Sequence, residues 1–222
     1  MPVSSKMLLV EGDADTSFHA ACLRAAGILD VEVGPPRDFS GHGTGKGNAL
    51  TLFPSLIEGM EDGRITQLAL VVDADYAKLG GLGYDETLKR VRTIVSAHGY
   101  AIPAKVAPAP KGHIFTHPDG LPNVGLWIMP DNEHPGFLED FILASIAGTE
   151  TKLVAHAKEI VEALPAPKFK DLHVNKAHVA TWLAWQTAPG QGLHSVIGNK
   201  LINTNKGIAG DFIRWLKAVY RA

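Results

Sequence analysis

Cysteine is nearly absent: Cys22 is the one such residue in 222, so no disulfide can form within the chain. It lies among Ala20, Ala21 and Leu23, where a small buried thiol is the expected role. A reducing cytoplasm fits such a composition. Long apolar runs are missing as well. No stretch approaches the ~18 residues of a membrane span, and the charged Glu11-Gly12-Asp13 arrives too early to leave room for a signal-peptide core. Membrane insertion and secretion are therefore not expected. Neither sign of charge dominates: a formal net charge of −2 gives no global basic footprint, so a nucleic acid would have to be held by a local patch or through bound cations. The ten histidines form no HxxxE or HExxH pattern, and no serine or cysteine nucleophile stands in a motif with a histidine. Internal repeats, coiled-coil heptads and low-complexity tracts are lacking too.

What is present is an alternation of short apolar runs with helical spacing. Lys6 to Val10 reads as a strand that stops at acids, and Ser17 to Ala26 follows it with helical periodicity through Phe18, Cys22 and Leu23. Val31 to Val33 is a weaker strand, and a helix is expected from Asn48 to about Ile57. Leu68 to Val72 is a third strand ending on Asp73 and Asp75, with an amphipathic helix from Tyr84 to Ala97 behind it. Val124 to Met129 is a fourth, ending at Pro130-Asp131-Asn132-Glu133 before a helix from Gly136 to about Ala147. Strands alternating with helices predict an α/β fold around a mostly parallel sheet of about four strands. Residues 1–148 are assigned to this domain. Residues 149–222 read as a helical extension packed on it, with helices at Lys152 to Leu164, His173 to Gln186 and Ile208 to Tyr220. The stretch from Ile102 to Pro110 reads as a connection. Trp182, Trp185 and Trp215 sit at helical spacing among Leu and Ala and are expected in the core.

Acids follow three of the four strands: Glu11, Asp13 and Asp15, then Asp73 and Asp75, then Asp131 and Glu133. Strand ends in a parallel sheet lie side by side on the edge where ligands bind. Carboxylates crowded there repel one another unless a cation neutralises them. Hard oxygen donors without cysteine or paired histidine favour magnesium, manganese or calcium over zinc. If the chain stays extended past the third strand, Asp73 and Asp75 reach the same side. The plainer account of any one acid is a helix cap or a loop residue, and Asp15 and Asp85 are placed to cap. Glu139 suits a first-turn acid equally well.

The segment LLVEGDAD (Leu8 to Asp15), followed by LVVDAD (Leu70 to Asp75), resembles the Toprim domain shared by topoisomerases, bacterial primases and OLD-family nucleases. The likeness covers about residues 6 to 145 and implies a small Rossmann-like parallel sheet. It implies that Glu11 is a metal ligand or general acid/base, that Asp73 and Asp75 are metal ligands, and that Asp15 matches a further aspartate of the primase-like and nuclease-like branches. The segment IMPDNEHPGFLEDFIL (Ile128 to Leu143) resembles a small branch of Toprim-like bacterial proteins nearest the OLD-type nucleases. That comparison implies that Asp131, Glu139 and either Asp140 or Glu133 belong to the acidic centre. Lys176 would be the counterpart of the lysine that those nucleases set near their carboxylates. A solvated lysine at a helix start is the plainer account.

The loop Gly41 to Gly47 offers open N–H groups, with Gly45 and Lys46 as candidate phosphate contacts before a helix N-terminus. It is not a Walker loop, because Ser40 and Gly47 stand where that motif needs glycine and serine or threonine. The reading that follows is a metal-dependent nuclease acting on DNA, using one or two Mg2+ or Mn2+ ions, with Glu11, Asp73, Asp75 and Lys176 catalytic. OLD-type nucleases carry an ATPase region that this chain lacks, so the resemblance implies a separately encoded ATPase; a homodimer is left open. One alternative is a non-catalytic module that binds a nucleotide or nucleic acid through a metal. Another is a small-molecule phosphatase or phosphotransferase with Asp13 as nucleophile.

Overall fold

A computed structural model describes residues 5–41, 43–103 and 111–221; the connection read from Ile102 to Pro110 falls mostly outside them. Among the described residues the elements run β1 (Lys6–Leu9), α1 (Asp13–Ala25), β2 (Glu32–Gly34), α2 (Pro36–Ser40), α3 (Lys46–Glu61), β3 (Gln67–Asp73) and α4 (Gly83–Ala97). They continue with β4 (His113–Phe115), β5 (Val124–Met129), α5 (Leu138–Ala144), α6 (Thr151–Glu162), α7 (Val174–Ala184), α8 (Ser195–Gly198) and α9 (Gly207–Tyr220). The chain is an α/β protein in which five described strands form one sheet of order β2-β1-β3-β5-β4. The first four in that order run parallel, and β4 closes the edge antiparallel to β5. The fifth strand, β4, is additional to the four expected. A three-residue strand between proline and glycine carries no periodicity of its own, and pairing with β5 creates it.

Period-2 alternation divides the sheet residues between two cores. Leu8, Ala69, Val71, Trp127 and Met129 face one, with Phe18, Phe141, Trp182, Phe212 and Trp215 from the helices. Met7, Leu9, Leu68, Leu70, Val72, Leu126 and Ile128 face the other, against α3 and α4. The helices after residue 149 therefore supply much of one core layer. Gly125 permits this, because a Cβ there would stand 2.8 Å from Val219 and 3.0 Å from Trp215. The Tyr220 hydroxyl donates to the Met7 carbonyl at 2.6 Å, and Trp215 Nε1 donates to the His113 carbonyl at 3.2 Å, tying α9 to strands distant in sequence.

Cys22 is buried, and so are Trp182 and Trp215, whereas Trp185 is 40% exposed and lies against His156. The correction has a simple cause: Trp185 is the C-cap of α7, one residue past the last helical position, so helical spacing no longer orients it. Among the described residues no helix is long and apolar enough to cross a membrane.

Candidate functional site at the strand ends

Strand order reverses between β1 and β3, because β2 is added on one side of β1 and everything later on the other. A crevice beyond the carboxyl ends of two such strands is where open α/β sheets bind ligands. Glu11 follows β1 and Asp73 ends β3, and the two meet across this crevice: Glu11 Oε1 accepts the backbone N–H of Asp73 at 2.8 Å. Glu11 is also the turn against which the glycine loop closes, its carbonyl accepting the N–H of Gly45 at 2.7 Å. That bond places Lys46, the first residue of α3, over the same edge.

Asp75 is not extended. Its φ is +64°, in the left-handed region that aspartate tolerates better than most residues, and its backbone bridges to Gly136 in both directions. The expectation that Asp73 and Asp75 project together along an extended chain is thereby corrected. The turn delivers the Asp75 carboxylate to Lys46 Nζ at 2.5 Å, with Lys46 only 8% exposed. Gly81 makes the turn sterically feasible, since a Cβ on it would lie 2.3 Å from the Cβ of Asp75.

Asp15 stands in the first turn of α1, whose N-cap is Gly12, so it is not the cap its position suggested. His19 Nδ1 lies 2.7 Å from the Asp15 carbonyl oxygen, which can only accept, so Nδ1 carries the proton. Burial holds this imidazole neutral, lowering its pKa to about 4. Glu139 enters from the start of α5, and Lys176 from the first turn of α7 lies 3.5 Å from Glu139 Oε1 and over the Phe137 ring. Glu139 is 8% exposed, and its Oε2 finds no hydrogen-bond partner among the described residues.

The carboxyl groups feel one another. Burial, reinforced by the charges of Asp15 and Asp75 and opposed by the Asp73 N–H and Lys46, pushes Glu11 up to about 7. Burial and Glu139 push Asp15 up to about 6, with Lys176 opposing. Asp73 is raised well above the usual carboxylate range by burial and then by Glu11, Asp15, Glu139 and Asp75. Glu11, Asp15, Asp73, Asp75, Glu139, Lys46 and Lys176 thus form one electrostatic centre drawn from five segments of the chain.

Other candidates fall elsewhere. Asp131 spends its carboxylate within its own turn, accepting the N–H groups of Glu133 and His134 and pairing with His134 Nδ1 at 2.7 Å. Asp140 closes the start of α5 by accepting the Phe137 N–H, and it also takes Tyr76 Oη at 2.5 Å and Asn175 Nδ2 at 2.6 Å. Tyr76 and Asn175 carried no sequence signal, since each is an isolated polar residue whose partner lies far along the chain. Asp13 is largely exposed and paired with Arg37 at 2.6 Å. His113 is buried in β4 with Nε2 3.2 Å from Tyr84 Oη, and burial lowers its pKa to about 4.

Whether this centre suits a divalent cation is a question of donor chemistry and geometry. Its donors are hard oxygens, one of them buried without a partner, and mutual repulsion is what a cation relieves. Among the described residues, though, no group of three or more His, Cys, Asp or Glu side chains is gathered as a metal site. The donor set fits magnesium or manganese in kind, and its side chains would have to close upon the ion.

The fold and this centre define an α/β protein with a carboxylate-rich crevice at the switch point of its sheet. The chain belongs to a family described as "Protein of unknown function (DUF3226)", which matches residues 5–221. Comparison with curated proteins and with solved structures gives no match.

Proposed function

We propose that the protein is a metal-dependent phosphodiester-processing enzyme of Toprim type, a nuclease acting on DNA, with Mg2+ or Mn2+ held by strand-end carboxylates. The observation that carries this reading is the meeting of Glu11 and Asp73 across the β1/β3 crevice, with Asp15, Asp75 and Glu139 electrostatically coupled to them. Glu11, Asp15, Asp73 and Glu139 would hold the cation. When bound, such an ion polarises a phosphoryl oxygen and lowers the pKa of water. The chain's own residues supply the rest. In the metal-free protein burial raises Glu11 to about 7, so a cation that binds there would displace its proton near neutral pH. Lys176, half-exposed beside Glu139, can stabilise charge developing on a phosphate. Lys46 holds Asp75 in place, and a phosphate that displaces that carboxylate would gain the same ammonium group.

One observation favours a second reading. With Asp75 already neutralised by Lys46 and no ready-made ligand group among the described residues, the crevice also suits a non-catalytic module that binds a nucleotide or nucleic acid through a single ion. A separately encoded ATPase would then be the partner to seek. The deciding experiment is cleavage of supercoiled plasmid with magnesium, manganese or EDTA, beside Glu11→Gln and Asp73→Asn proteins shown to be folded. Metal-dependent nicking absent from both variants supports the nuclease. Manganese binding without nicking moves the conclusion to the binding module.

A further inference from the structure

A cleft of ≈ 580 Å³ opens beside the acidic centre, between α1, α7 and the loop from Gly190 to His194. Its size lies in the range of small-ligand sites, which combine apolar walls with a few convergent polar groups. Ala14 and Ser17 form one wall, and Ala180, Leu183 and Ala184 the other. Gln191 and His194 stand on the loop side. Glu139 and Lys176 line it too, and these are members of the charged centre, so cleft and crevice are continuous.

The small side chains do not by themselves make a site. Glu139 supplies the independent observation: its Oε2 is buried and without a partner among the described residues, yet the residue lines this cleft. A buried acceptor left unmet is costly, and a turn of the Glu139 side chain toward the cleft would let a donor there meet it. Lys176 beside it offers a positive charge to an anion. An acceptor and a cation at one end, apolar walls behind, and an amide and an imidazole on the far side suit a nucleotide, with its phosphate at Lys176, a hydroxyl or N–H near Glu139, and its base between the alanines.

We propose that this cleft takes one unpaired nucleotide of a nucleic-acid strand next to the phosphate being processed. The inference rests on the phosphodiester reading of the adjacent centre. Paired bases are stacked inside a duplex and cannot enter a pocket unless the nucleotide is extruded, so the protein should prefer single strands or frayed ends over blunt duplex.

The test is fluorescence anisotropy with a labelled short oligothymidylate, a blunt duplex of the same length, and thymidine 5′-monophosphate as competitor, in manganese and in EDTA. Ala180 is exposed on α7, so Ala180→Trp fills the cleft without entering the core. The single strand should bind at least about tenfold more tightly than the duplex, and Ala180→Trp should remove about that factor from strand binding alone. The double variant Gln191→Ala/His194→Ala should weaken strand binding in the same sense. Equal affinity for strand and duplex, or strand binding untouched in both variants, would overturn the proposal. Competition by the monophosphate as strong as by the strand would overturn the strand as its source and assign a free nucleotide. Manganese titration of wild-type protein is read separately: absence of metal binding removes the metal reading of the centre, while the strand preference and its loss in Ala180→Trp stand or fall by themselves.

Discussion

The side chain of Glu11 and the backbone of Asp73 are joined by a 2.8 Å hydrogen bond that spans the two strands flanking the switch point. Glu11 therefore has two separable duties, as acceptor for a half-buried N–H and as a negative charge. Glu11→Gln keeps an acceptor oxygen, while Glu11→Ala leaves the N–H unmet at a cost of about 1–3 kcal/mol. Urea denaturation should separate the two proteins by that amount. Metal binding should be lost in both.

The pH dependence follows from the same residue. The pKa of Glu11 is about 7 in the folded protein against an ordinary 4.5, so the folded state binds this proton more tightly than the unfolded chain. The resulting stabilisation is fully present below about 4.5 and is lost as pH rises to about 7. His19 acts oppositely: with its pKa lowered to about 4, it costs stability as pH falls below its ordinary 6.5. Subtracting the Glu11→Gln curve from that of metal-free wild type cancels the histidine. The difference should fall between about pH 4.5 and 7 and go on falling above that as Asp73, held up partly by the Glu11 charge, ionises; a flat difference throughout would show that Glu11 is ionised in the apo protein.

Lys46 and Asp75 form a partly buried pair, and removing one partner strands the other. Lys46→Met should destabilise by about 1–3 kcal/mol, and adding Asp75→Asn should restore part of the loss, since asparagine also accepts a positive φ. A double-mutant cycle in thermal unfolding measures the coupling.

Glu139 and Asp140 are adjacent acids with opposite assignments. Asp140 has partners in Phe137, Tyr76 and Asn175, so Asp140→Ala should cost about 1–3 kcal/mol through those unmet donors. Glu139→Gln leaves no donor unmet, so it should cost less than Asp140→Ala, and it should weaken manganese binding, read by calorimetric titration.

Residues 149–222 should not be separable from the rest. A fragment ending at residue 148 loses the helices that cover Trp127 and Val71, and its near-ultraviolet circular dichroism should show no fixed tertiary packing. Gly125→Val, which would press on Val219 and Trp215, should destabilise the whole chain by about 1–3 kcal/mol in one cooperative transition.

The strands β1, β3 and β5 were legible in the sequence because each is a continuous apolar run ended by an acid, a local pattern that burial on both faces imposes. Glu11 and Asp73 were legible for the same reason, being at strand ends, whereas Lys46 read as a phosphate contact and its pairing with Asp75 did not show. Tertiary structure alone decided the rest. It bent Asp75 into a left-handed turn because Gly136 pairs with its backbone and Gly81 leaves it room. It chose Glu139 over Asp140 for the charged centre because Tyr76 and Asn175 claim Asp140 from distant segments. It held Asp131 in its own turn, made a strand of His113 to Phe115 by pairing, and put Lys176 beside Glu139 by packing α7 on α5. Periodicity reports which way a residue faces within its own element, whereas partners such as these are set by contacts between segments far apart in the chain, which no local pattern encodes.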